Sequence, residues 1–121
     1  MANNKLRAIQ INVNVGIPPS ELKQTASARA KHDPGFARAL LDEAFALFLN
    51  GEPDTAKLIL RDLVNATVGF EELATEVNKP IKSLHRMLSV SGNPTMGNLS
   101  AILAKLQKSM HVVVKVSVNA V

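Results

Sequence analysis

At 121 residues the chain has the length of one compact domain, and its 46% hydrophobic residues include four Phe but no Trp or Tyr, so Leu, Val, Ile, Ala and Met must build the core. The lack of cysteine excludes disulfides, thiolate metal sites and a cysteine nucleophile. The net charge of +4 is segregated, with six Lys/Arg against two acids in residues 1–41, two against eight in 42–76 and six against none in 77–121, which marks a basic face suited to a polyanion.

The first residues, Met1-Ala2-Asn3-Asn4-Lys5-Leu6-Arg7, lack the apolar core of a signal peptide, and no run approaches the ~18–20 apolar residues of a spanning helix. The expectation is a soluble, cytoplasmic protein with no membrane partner. Residues 5–15 alternate, with Ile9, Ile11, Val13 and Val15 on one parity and Gln10, Asn12 and Asn14 on the other, the pattern of a strand or of an unstructured arm. Pro18-Pro19 ends it. Ser20 can cap a modest Ala-rich helix over 20–31, so residues 1–32 read as an N-terminal arm and 33–121 as the helical domain.

Asp33-Pro34 supplies a cap and a first-turn proline for a helix to Asn50, with Phe36, Leu40, Leu41, Ala44, Phe45 and Phe48 on one stripe and Gly51 as its stop. Glu52-Pro53-Asp54 starts the next, where Ala56, Ile59, Leu60, Leu63 and Val64 repeat at helical spacing to about Ala66. Two short helices follow over 70–77 and 80–88, broken at Asn78-Lys79. After the loop 89–94, Thr95 caps a longer helix whose stripe is Met96, Leu99, Ile102, Leu103, Leu106 and Met110. Val112, Val114, Val116 and Val118 then alternate with Val113, Lys115 and Ser117, which predicts a β-strand over 111–118. The fold class expected is mainly α, with short β-strands at the termini.

The two short helices have the features of a helix-turn-helix. Phe70, Leu73 and Val77 form the inner edge of the first, and Ala74 is small enough to let the second approach. Asn78 tolerates the left-handed backbone that ends a helix, and Pro80 suits a first helical turn. Leu84, Met87 and Leu88 then face inward, leaving Ile81, Lys82, Ser83, His85 and Arg86 outward. In a major groove Arg86 and Lys82 can donate to guanine acceptors or phosphates, Ser83 can take either role, Ile81 offers apolar contact to a thymine methyl, and His85 can meet a phosphate or a base. Lys79, Pro80 and their followers stand where a recognition helix comes closest to base edges. Asn93 and Thr95 border the free N–H groups of the next helix, where a phosphate can sit.

The segment Phe70-Glu-Glu-Leu-Ala-Thr-Glu-Val-Asn-Lys-Pro-Ile-Lys-Ser-Leu-His-Arg-Met-Leu-Ser, with Ser91-Gly-Asn-Pro-Thr and Asn98-Leu-Ser-Ala-Ile-Leu-Ala-Lys-Leu behind it, resembles the Xre-type helix-turn-helix of addiction-module antidote (antitoxin) proteins and related small regulators. The upstream run Phe48-Leu-Asn-Gly-Glu-Pro-Asp-Thr-Ala-Lys-Leu-Ile-Leu-Arg-Asp-Leu-Val-Asn-Ala is similar to the helix that precedes that motif, so the resemblance spans about 37–116. It implies a lambda-repressor-like bundle, usually a homodimer, that binds double-stranded DNA at a palindromic operator as a repressor. Many such relatives also bind a ribosome-dependent mRNA-cleaving toxin. This chain departs from the pattern at Asn78-Lys79, where Gly and an apolar residue are usual, and at Pro80, which replaces a Ser or Thr cap.

Other chemistries find little footing. Ser83 and His85 are two apart on a helix and point apart, and the acids stop at Glu76, so a catalytic triad has no orienting carboxylate nearby in sequence and no enzyme activity is expected. His32, His85 and His111 lack metal-ligand spacing; neither a metal nor another cofactor is expected. The 111–118 edge asks for a partner, which can be the N-terminal segment, a second copy or a toxin. The acidic stretch 42–76 is either a solvated face or an attraction for a basic toxin, the alternative being an antitoxin that works by protein binding with little DNA reading of its own.

Overall fold

A computed structural model of the chain describes residues 25–121. Among these, six α-helices follow one another: α1 (Ala26–His32), α2 (Pro34–Leu49), α3 (Pro53–Ala66), α4 (Phe70–Val77), α5 (Ile81–Met87) and α6 (Met96–Met110). The fold is mainly helical, and no helix among the described residues is long and apolar enough to cross a membrane. The expected strand over 5–15 and the Ser20 cap lie outside the described residues. The first described helix begins instead at Ala26, where the Thr25 hydroxyl accepts the Ala28 N–H at 3.0 Å.

α2 and α3 pack against each other, and α1 lies against both, with Ala30 in the core. Asp33 caps α2 by accepting the Phe36 N–H at 3.1 Å, and Pro34 occupies the first turn, where no N–H is missed. The buried face of α2 is Phe36, Ala37, Leu40, Leu41, Ala44 and Leu47. Phe45 and Phe48, placed on that stripe by spacing alone, are only half-buried, because the face turns toward Ala37 and Leu47 where α1 and α3 meet it. On α3, Ala56, Ile59, Leu60, Leu63 and Val64 are all buried, as their spacing predicts.

α4 packs against α5 and α6 and touches α3, closing a single core to which Phe70, Leu73, Leu84, Leu88, Ile102 and Leu106 contribute. Met96, expected on the α6 stripe, is 80% exposed, since at the first helical position it lies beyond the core that Ile102 and Leu106 reach.

Three of the helices stop sharply, in one recurrent way. Gly51, Asn78 and His111 adopt positive φ (80°, 55° and 57°) after α2, α4 and α6. The residue after each donates back five positions, Glu52 to the Leu47 carbonyl at 2.8 Å, Lys79 to Ala74 at 3.0 Å and Val112 to Gln107 at 3.0 Å. Past His111, Val112 and Val114 pack on the core while Val113 and Lys115 are exposed, an alternation proper to extended chain. No strand forms there among the described residues. The sequence pattern for a strand is present, but a ladder needs a neighbour, and the Val114 N–H instead donates to the Gln107 side chain at 2.9 Å.

The left-handed turn at Asn78 sets a testable cost. Asn78→Val should lower stability by about 1–2 kcal/mol, whereas Asn78→Gly should stay within roughly 1 kcal/mol of the parent. Equal losses for the two in urea unfolding would mean that the backbone at this turn is not what limits the substitution.

Candidate nucleic-acid interface

The site is built on α4, the turn at Asn78 to Pro80, α5, and the loop leading to α6. Gly69, with φ 82° and ψ 151°, opens α4 in a conformation open only to glycine. Phe70 and Leu73 are buried, while Ala74 and Val77 are half-buried against the core. Pro80 proves to be the residue just before α5 rather than inside its first turn: its backbone is extended (φ −63°, ψ 146°) and its carbonyl accepts the Leu84 N–H at 3.2 Å. A proline there fixes the approach to the helix but provides no side-chain cap.

The inner stripe of α5 is Leu84 and Leu88, both fully buried. Lys79, Pro80, Lys82 and Arg86 are exposed, Ile81 is 39% exposed, and Ser83 is half-buried at the flank. A shallow depression beside them is lined by Glu71, Ala74, Thr75, Asn78, Lys79, Pro80 and Ile81. Among the described residues Lys79, Lys82 and Arg86 have no carboxylate partner. Two of the three acids of α4 are drawn elsewhere, Glu72 and Glu76 pairing with the half-buried Lys105 of α6 at 3.6 and 3.4 Å.

His85 departs from the outward expectation. Its half-buried ring lies on Phe70, with centroids 4.0 Å apart and planes at 20°. A stacked pair of this kind stabilises by ~0.5–1.5 kcal/mol beyond burial and fixes the roll of α5 on α4. His85 is therefore a positioning side chain in this arrangement, and the outward array comprises Lys79, Pro80, Ile81, Lys82 and Arg86 with Ser83 at its edge.

The loop after α5 is held by a residue that the sequence reading passes over. Lys57 of α3 is 4% exposed, and its ammonium donates to the Val90 carbonyl at 3.2 Å and to the Gly92 carbonyl, while Asp54 pairs with it at 3.2 Å. These three partners match the three donors of an ammonium, which is what makes its burial tolerable. Gly92 is required for another reason: a Cβ there would stand 1.9 Å from the Arg86 carbonyl oxygen and 2.7 Å from that of Met87. One signal was available, since Lys57 stands on the α3 stripe three residues before Leu60 and seven before Val64, where an unpaired charge would be out of place. Asn93 in this loop and Thr95 just past it are exposed, and the Thr95 hydroxyl accepts the Asn98 N–H at 3.1 Å to cap α6.

The chain matches no known family model, no curated protein and no solved structure.

Two substitutions probe this supporting shell. Lys57→Met keeps an unbranched apolar stem but removes the donor from two carbonyls, and should cost about 1–3 kcal/mol in chemical unfolding, with faster amide exchange confined to the 89–94 loop. Unaltered exchange in that loop would show that Lys57 does not hold it. His85→Phe should retain stability while His85→Ala loses about 0.5–1.5 kcal/mol; an equal loss in both would dismiss the ring stack.

Proposed function

We propose that α4, the Asn78 turn and α5 form a helix-turn-helix in a lambda-repressor-like bundle, that α5 enters the major groove of duplex DNA, and that the protein is a transcriptional repressor. The observation that carries this reading is the set of three cations, Lys79, Lys82 and Arg86, exposed together on and beside α5 with no carboxylate partner among the described residues. Cations already paired within the protein release fewer counterions from DNA, whereas unpaired ones give the full electrostatic gain. Lys82 and Arg86 lie four apart on the outward face, and Ile81 provides an apolar tip at the N-terminal end, where a recognition helix meets base edges. In this reading Asn93, Thr95 and the start of α6 meet the backbone, contacts that orient a protein on the duplex without reading it.

Protein capture by the acidic stretch 42–76, as an antitoxin would need, draws less support. Asp54, Glu72 and Glu76 are engaged with Lys57 and Lys105, which lowers the charge that stretch presents to a basic partner.

The double substitution Lys82→Ala/Arg86→Ala should leave the helical circular dichroism intact and weaken binding to a random-sequence duplex. The slope of log K against log salt should become shallower by about 2, one per lost phosphate contact. Binding with an unchanged salt slope would remove α5 from the interface, and selection from a pool of random duplexes that enriches no sequence would reject operator recognition.

A further inference from the structure

After α6 the chain forms neither helix nor ladder over residues 112–121. Val112 and Val114 face the core, and in extended chain the same side continues with Val116 and Val118. These two are 63% and 95% exposed. The anchored face of the tail therefore runs on past the core of its own protomer and ends in solvent. The main chain is in the same position. Val112 and Val114 donate to the backbone and side-chain oxygens of Gln107, but among the described residues the tail from Lys115 onward finds no hydrogen-bond partner. A valine-rich edge with open donors and acceptors is a template for another strand.

We infer that this tail is a dimerisation strand, pairing antiparallel with the same segment of a second copy about a two-fold axis at Val116. The occupant is argued from self-complementarity. Directly opposed residues of an antiparallel pair project to the same side, so a register centred between two residues would set valines against Lys115 and Ser117 and split the apolar face. Centred on Lys115, the pair would oppose the tail's lone charge to itself, which is destabilising. Centred on Val116, Lys115 faces the partner's Ser117, Val116 faces the partner's Val116, and the exposed Val118 comes beside the partner's Val114, the residue anchored on a core. Each copy thus completes the apolar face that the other leaves in solvent. A groove of about 160 Å³, lined by Arg38, Leu41, Asp42 and tail residues including Val112 and Val114, borders the tail along α2. A two-stranded ribbon is marginal in isolation, and here helices back it. The interface is isologous, so it closes at two copies. It would present two copies of α5 to a two-fold-repeated DNA site, a consequence that rests on the DNA-binding reading; the pairing itself does not.

The 121-residue chain contains no cysteine, so single introduced thiols report register without background. In a glutathione redox buffer without DNA, Val116→Cys should be recovered mainly as a covalent dimer, because the two thiols face each other. Ser117→Cys should remain monomeric on non-reducing gels, since its counterpart lies beyond the ~7 Å Cα reach of a disulfide, yet it should cross-link with Lys115→Cys when the two are mixed. Val116→Asp, placed at an exposed position, should shift the parent from dimer to monomer in sedimentation while its helical circular dichroism stays unchanged. A monomeric parent, a Val116→Cys protein that stays monomeric as it would if the tail paired with residues 5–15 of its own chain, or equal cross-linking at positions 116 and 117 would each overturn the inference. Loss of DNA binding in a protein that still cross-links at 116 would count against the proposed function alone.

Discussion

One buried charge organises the half of the molecule that carries the candidate interface. The ammonium of Lys57 leaves α3, crosses the core boundary, and ends on the carbonyls of Val90 and Gly92 with Asp54 beside it. The core offers an ammonium no solvation of its own, so the loop must stay where its carbonyls can supply it. The constraint acts in both directions. It fixes the path between α5 and α6, and through the close approach of Gly92 to the Arg86 and Met87 carbonyls it sets where α5 ends. The apolar stripe of α5, Leu84 and Leu88, then meets the core in one register, and the opposite side of the helix faces out.

The helical plan was largely legible in the sequence because its punctuation is local. Asp33-Pro34, Gly51 with Pro53, Asn78 and Thr95 act on the backbone within a few residues, and each marks a boundary where the reading placed one. Positions that depend on distant partners were not legible. Phe45 and Phe48 fit a helical stripe by spacing, but the buried face of α2 is decided by α1 and α3. His85 sits on the outward arc of an isolated α5, and only the placement of Phe70 across the turn draws its ring inward. The tail shows the reverse case: alternation in residues 111–118 reports a capacity to form a strand, while the strand itself requires a neighbouring chain.

Charge followed the same division. The lack of acids after Glu76 suggests six equivalent cations in the last third of the chain, yet they are not equivalent in space. Lys105 is taken up by Glu72 and Glu76, tying α6 to α4. That pairing draws two carboxylates of α4 toward α6 and leaves the field around Lys79, Lys82 and Arg86 more positive than a count along the first short helix implies. Glu71 alone of the α4 acids lines the depression beside α5.

The stack of His85 on Phe70 joins the opening residue of one short helix to the closing half of the next. Together with the Asn78 turn at their other junction, it fastens the pair at two points, so that neither helix can roll without breaking a contact with its neighbour. A surface held in this way meets its ligand already in shape, and little ordering free energy is taken from the affinity. On the proposed function, the speed of encounter with DNA is then set by diffusion and by the long-range field of the exposed cations, and it slows as ionic strength rises.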